Sequence, residues 1–185
     1  MHTYELDLPA AVSATLSAIK GGVVRIGVSA RATGTTEIYG GLQIALATGE
    51  VISIHADEEM LQPRFEVFPI TAASVAHFSA SEVRDFQLAP PIEVYLLRTQ
   101  DWLDPGIGCE GALGSSPMMQ CQGVPGQAPQ TALAACTYVG GIKVRDGNGT
   151  ILLVTTLPSP FAISVNAFYG EADLSSFTEE PLNAG

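Results

Sequence analysis

The chain has 185 residues, 46% of them hydrophobic, and its 8 basic and 19 acidic residues give a net charge of −11 at pH 7. A chain of this length buries roughly 70% of the surface that its unfolded form exposes, which suits one domain or two closely packed halves and argues against general disorder. The acidic excess disfavours nucleic acid and anionic membranes as partners, because both attract cations, and leaves a basic protein as a partner.

The beginning of the chain shows no sign of a secretory signal. Residues 1–8 contain two acidic residues and no Lys or Arg, whereas a signal begins with basic residues before an apolar run. No apolar stretch approaches the ~20 residues that cross a bilayer. We therefore expect a cytoplasmic protein whose three cysteines (Cys109, Cys121 and Cys136) are free thiols. The alternative, in an oxidising compartment, is a Cys109–Cys121 disulfide that closes a short loop.

The first predicted element is a helix that Asp7 caps, with Pro9 in its first turn. Its apolar residues recur at spacings of four, four and three, which places them on one face: Leu8, Val12, Leu16 and Ile19. Gly21 and Gly22 end the helix because glycine commonly terminates helices.

Alternation of apolar and polar residues then predicts four strands. Their apolar faces are Val24, Ile26, Val28 and Ala30; Leu42, Ile44 and Leu46; Ile52 and Ile54; and Phe65 and Val67. The second and third strands form a hairpin with a turn at Gly49. The opposite face of the third strand carries Ser53 and His55, because side chains alternate across a strand.

The next segment favours a short helix. Ser79 and Glu82 have capping-box spacing, and Val83 and Phe86 lie three residues apart. Two prolines end this segment, and a further alternating strand begins at Ile92.

Residues 104–130 differ from the rest of the chain, with six glycines, four prolines and only two charged residues. This composition predicts a long loop without regular structure, mobile in the free protein. Residues 131–136 are Ala-rich and predict one or two helical turns. The acidic tail is polar enough to fray.

A short repeat recurs one hundred residues along the chain. GGLQI at residues 40–44 returns as GGIKV at residues 140–144, and Gly49 has its counterpart in Gly149. We therefore predict a second hairpin like the first, and two related β-rich halves at residues 1–89 and 90–185. The expected fold class is α+β, predominantly antiparallel β with a few short helices, and we expect the two halves to form one compact unit.

The densest polar cluster contains His55, Asp57 and Glu58. An imidazole beside carboxylates suits acid–base chemistry or metal binding, but the spacing matches no metal-ligand motif, so we expect no metal or other cofactor. The alternative interpretation is a solvated strand end that leads into a loop.

Large apolar and aromatic residues are the other candidates for binding. Tyr95 and Trp102 belong to classes enriched at interfaces, and Met118 and Met119 would give the long loop a flexible apolar tip. The alternative is that the aromatic residues belong to the core and that the loop is only loosely packed.

No complete catalytic motif is present. The first hypothesis is a non-catalytic acidic protein that binds another protein, in a toxin-neutralising or chaperone-like role. The alternatives are a small-molecule site or modest enzyme at the junction of the halves that uses His55, Asp57 and Glu58, and a structural subunit such as a virion protein. A homo-oligomer is compatible with all three hypotheses.

Overall fold

The computed structural model describes residues 1–30, 38–63, 65–104, 119–157, 162–170 and 173–182. In chain order the elements are β1 (His2–Glu5), α1 (Ala10–Ser17), a 3-10 helix (Ala18–Gly21), β2 (Val23–Ala30), β3 (Ile38–Leu46), β4 (Val51–Ala56), β5 (Glu59–Gln62), β6 (Phe65–Val67), β7 (Ile70–Val75), β8 (Glu82–Arg84), β9 (Ile92–Asp104), β10 (Met119–Gly123), β11 (Ala134–Asp146), β12 (Thr150–Thr156), β13 (Ile163–Tyr169) and β14 (Thr178–Pro181).

Twelve of these strands form one mostly antiparallel sheet, and β5 pairs with β6 apart from it. The main path runs β10-β9-β11-β12-β13-β3-β2-β8, β4 lies between β3 and β7, β14 lies beside β9, and β1 runs parallel to β11. The prediction of a predominantly antiparallel β fold is confirmed. Within the described residues, the helical part is smaller than expected, with one short α-helix and one 3-10 turn. None of the described helical segments has the length and hydropathy to cross a membrane.

The N-terminal helix forms where the sequence predicts it, but it begins later than expected. Its apolar stripe faces the core, with Leu16 and Ile19 fully buried. The N-cap is Pro9, without a side-chain hydrogen bond, so the prediction that Asp7 caps the helix is wrong. Gly22 ends the helical segment at φ +114°, a conformation that residues with a side chain rarely adopt.

β2 departs from the predicted alternation at its beginning. Its register with β3 shifts between Val23 and Arg25, which leaves Val24 outside the ladder. Val24 is therefore exposed, and Val23 is buried in its place. Ile26 and Val28, on the predicted face, are buried.

Both predicted hairpins are present, β3 with β4 and β11 with β12. Their registers correspond at an offset of one hundred residues: Leu42–Ile54 with Ile142–Val154, Gln43–Ser53 with Lys143–Leu153, Ile44–Ile52 with Val144–Leu152, and Ala45–Val51 with Arg145–Ile151. Gly40 falls outside the ladder between β3 and β2, as Gly140 does between β11 and β9. In the turns, Gly49 and Gly149 have φ of +89° and +84°.

Two segments predicted as helical contain strands instead. The backbone N–H of Ser79 donates to Gln43 Oε1, 2.6 Å away, and the residues that follow form β8, which pairs with β2. The Ala-rich stretch leads into β11, where Ala134 pairs with both β9 and β1 and is fully buried. A single spacing of three residues and a short run of alanines are weak helix signals, and here long-range strand pairing outweighs the local preference.

The long loop is shorter than predicted, because its last part includes β10, which pairs with β9. Residues 105–118, and with them most of the segment predicted to be mobile, lie outside the described residues. The acidic tail also differs from the expectation, since part of it forms β14, which pairs with β9.

The buried apolar residues form two clusters. The larger cluster lies between the strands of both hairpins and the N-terminal helix, and it contains Ile54 and Val154, as predicted. The smaller cluster comprises Phe65, Val67, Leu103, Ala134, Cys136 and Tyr138. Strands β9 and β11 contribute residues to both clusters.

Candidate functional site

A cavity of about 270 Å³ opens where the N-terminal segment crosses the sheet. Its lining comes from the residues between β1 and α1, from the connection between β4 and β5, from the beginning of β7 and from β11: Leu6, Asp7, Leu8, Pro9, Asp57, Glu59, Pro69, Ile70, Thr71 and Val139. We call this cavity the acidic pocket.

The acidic pocket combines apolar walls with three carboxylates. Ile70 and Val139 are each 2% exposed, which makes them the most buried part of the lining, whereas Asp7, Asp57 and Glu59 are exposed. No Lys, Arg or His belongs to the described lining. The pocket therefore presents apolar surface together with negative charge.

Hydrogen bonds hold the connection that supplies the carboxylates. The backbone N–H of Asp57 donates to the carbonyl of Pro69 at 2.9 Å, and Asp57 Oδ1 accepts from the backbone N–H of Glu58 at 3.0 Å. The first bond joins the residue after β4 to the residue before β7. The second bond lies within the connection after β4 and orients the Asp57 side chain.

One cation lies close to the pocket without lining it. Arg98 Nη2 is 4.0 Å from Asp7 Oδ1, and its Nε is 2.8 Å from Glu180 Oε2. Within the described part of the chain, Asp57 and Glu59 form no ion pair. These two carboxylates are consequently the ones available to a cationic guest.

Of the three polar residues predicted as a site, the structure places only Asp57 in the pocket. His55 lies on β4 opposite Thr71 and is half-buried outside the lining, as is Glu58. Among the described residues, no cluster of His, Cys, Asp and Glu could hold a metal ion. Glu59, which does line the pocket, ends the same polar run but was not chosen as a candidate site residue.

The two aromatic candidates lie on one strand but do not form one site. Tyr95 and Trp102 are seven residues apart on β9, so their side chains point to opposite faces and their Cα atoms are ~23 Å apart. Lys143 Nζ lies 4.6 Å from the centre of the Tyr95 ring, and Trp102 packs so closely on Gly123 that a Cβ there would meet the indole at 2.6 Å.

The methionine candidates have no described side chains. Met118 lies outside the described residues, and Met119 is the first residue of β10. The predicted apolar loop tip therefore stays a prediction.

A second polar cluster is buried where β9 lies between β10 and β11. Asp101 is 1% exposed, and its Oδ2 accepts from Tyr138 Oη–H at 3.1 Å and from Gln120 Nε2–H at 3.0 Å. The other carboxylate oxygen, Oδ1, is buried and has no hydrogen-bond partner among the described residues. We call Asp101, Tyr138 and Gln120 the buried carboxylate cluster.

Burial controls ionisation in this cluster. It raises the pKa of Asp101 to about 6, against the opposing effect of the hydrogen bonds from Gln120 and Tyr138. Burial, together with the charge of Asp101, also raises the pKa of Tyr138 and raises that of Cys136 to about 12. Sequence reasoning missed Asp101, although an acidic residue within a long strand was a signal.

The cysteines differ from one another. Cys136 is a free and fully buried thiol, whereas Cys121 in β10 is disulfide-bonded. The expectation of free thiols therefore holds for Cys136 and is wrong for Cys121. With its raised pKa, Cys136 stays protonated at neutral pH and lacks the thiolate that nucleophilic chemistry requires.

Comparison with known proteins adds no family to this description. The chain matches no protein-family model, no curated protein and no solved structure.

Proposed function

We propose that the chain is a non-catalytic binding protein that engages a basic surface of another protein through the acidic pocket. The observation that carries this proposal is the pairing of apolar walls with three carboxylates and no cation in the pocket lining. Pockets for drug-sized ligands measure roughly 300–1,000 Å³. At about 270 Å³ the acidic pocket is better matched to one side chain of a partner.

A lysine or arginine side chain has the matching chemistry. Its aliphatic stem would pack on Ile70 and Val139, and its charged group would reach Asp57 and Glu59 near the opening, because long cationic side chains bury their stems and keep their charge near water. The net charge of −11 would also steer a basic partner toward the protein.

The lining supports binding more than catalysis. Its polar side chains are three carboxylates and Thr71. Covalent catalysis needs a nucleophile with a base within hydrogen-bond reach, and no such pair is present in the described lining.

The test compares two charge-neutralising double variants. Asp57→Asn with Glu59→Gln should weaken binding of a partner captured from the source cells by about tenfold and should reduce the dependence of the affinity on salt. Glu82→Gln with Asp85→Asn removes the same number and kind of exposed charges away from the pocket and should leave both quantities near those of the wild type. Equal affinities for the two double variants would refute the proposed binding site.

A small-molecule site or modest enzyme at the junction of the halves is the second candidate. It is favoured by the lining, which combines residues before position 90 with Val139 from β11. In that case a purified small molecule should bind without a protein partner. If turnover depends on the predicted cluster, His55→Ala should abolish it while the thermal unfolding midpoint stays unchanged.

We also propose that residues 1–89 and 90–185 are two related halves. The support is the common register of the two hairpins and the unpaired glycine at the same place in each, Gly40 and Gly140. In both halves the hairpin lies between two further antiparallel strands, β2 and β7 in the first and β9 and β13 in the second.

A homo-oligomer and a structural role in an assembly stay proposals as well. Strands β8 and β14 are edge strands of the sheet, and edge strands offer free backbone groups to another chain. The cytoplasmic location stays a prediction, and the disulfide at Cys121 weighs against it, because such bonds are rare in the reducing cytosol.

A further inference from the structure

The buried carboxylate cluster lies beneath an edge strand of the sheet. β10 has five residues, pairs with β9 alone and ends one path of strands. Its side chains contact the cluster directly, since Gln120 donates to Asp101 and Gln122 Nε2 lies 3.5 Å from Tyr138 Oη. A change in the ionisation of Asp101 therefore affects the side-chain hydrogen bonds that attach β10 to the sheet.

The ionised form of Asp101 is poorly accommodated in the closed structure. A buried carboxylate needs hydrogen bonds to both oxygens, and only Oδ2 has them. Protonation removes most of the desolvation cost because the neutral acid is far less demanding than the ion. We expect water to reach the carboxyl group if β10 moves away, because Gln120 of β10 is one of the two described side chains that hydrogen-bond to it.

The groups that face Asp101 from the surrounding elements offer no compensating positive charge. β11 provides Tyr138 and Cys136, β10 provides the neutral Gln120 and Gln122, and β6 provides the backbone carbonyl of Glu66, which accepts a hydrogen bond from Gln120. Tyr4 of β1 and the charge of Glu59 lie near Cys136 on the far side. No described Lys, Arg or His contributes to the ionisation of Asp101.

We propose that Asp101 is the control point of a proton-operated latch: protonation of its carboxyl group closes β10 on the sheet, and ionisation loosens it. The latch involves no residue of the acidic pocket, so it stands independently of the binding function proposed above.

The sign and the pH range follow from the two ionisation states. When β10 is open, Asp101 is hydrated and its pKa returns to 3.8, whereas in the closed form it is about 6. Between these values the closed form binds more protons than the open form. The closed state is therefore most favoured below pH 4, weakens mainly as the pH rises from 4 to 6 and levels off about one pH unit higher.

Hydrogen exchange of the β10 amides tests the latch. After correction for intrinsic exchange rates, protection of Gln120, Cys121 and Gln122 should fall about thirtyfold between pH 4 and pH 6 and level off near pH 7. In Asp101→Asn, which keeps the side-chain shape without the charge, protection should not vary with pH. Asp146→Asn is the matched control, because Asp146 is also buried but its Oδ1 accepts two backbone N–H groups.

Two further measurements keep the test decisive if Asp101→Asn does not fold. Tyr138→Phe removes one hydrogen bond from the ionised carboxylate, so the fall in protection should extend to higher pH than in the wild type. Trp102 is the only tryptophan and packs on Gly123 of β10, so its fluorescence should follow the same pH profile. Wild-type protection that does not change from pH 4 to 6, or a fall that persists in Asp101→Asn, would overturn the latch.

Discussion

Single residues in this protein are predictable where strand alternation decides their environment. Ile54 and Val154 occupy the apolar face of their strands, and both are fully buried. Asp101 is also buried, but strand alternation does not predict its burial, because β9 buries different faces along its length. Near the C-terminal end of β9, Asp101 and Leu103 lie against the smaller cluster, whereas Val94 and Leu96, near its beginning, belong to the larger one.

At the residue scale, Ile54→Ala should lower the free energy of unfolding by about 2–5 kcal/mol. Ile54 is 0% exposed and pairs with Leu42 in the larger cluster, so its truncation leaves a cavity. Chemical denaturation measures the loss. Val24→Ala is the control, because Val24 is 44% exposed and should change stability by less than ~0.5 kcal/mol. An unchanged midpoint for Ile54→Ala would remove Ile54 from the core.

At the scale of elements, the hairpins were predictable and the short helices were not. Alternation over six or more residues with a glycine turn identifies β3, β4, β11 and β12, because only a strand pairs and buries such a pattern. The segments around β8 and the beginning of β11 offered only a spacing of three or a run of alanines. Their structure depends on strands far away in the sequence, which local spacing does not reveal.

The two hairpins differ in how closely their strands approach at the repeated glycine. A Cβ on Gly141 would lie 2.5 Å from the carbonyl oxygen of Val154, whereas one on Gly41 would lie 3.3 Å from that of Ile54. Gly141→Ala should therefore cost about 1–3 kcal/mol, because a backbone atom must move, and Gly41→Ala should cost less. Thermal unfolding of the two variants side by side checks the order, and equal losses would contradict it.

At the scale of the whole molecule, the acidic pocket was only partly predictable. Composition indicated an acidic protein, and the sequence singled out Asp57. Asp7 and Glu59 join it because the N-terminal segment crosses the sheet after β1 pairs with β11, and because the backbone of Asp57 bonds to Pro69. Neither contact leaves a signal in the local pattern, since each joins segments that are distant in the chain.

Two strands, β9 and β11, contribute residues to both apolar clusters, and this affects how the protein unfolds. β9 and β11 run through both clusters and pair with each other along most of their length. Neither cluster can therefore lose its packing without separating strands on which the other depends. We expect one cooperative transition, with a calorimetric enthalpy of unfolding equal to the van't Hoff enthalpy. Two separate heat-absorption peaks would show that the clusters melt independently. A destabilising substitution in either cluster should thus lower the single melting temperature at which both clusters lose their packing.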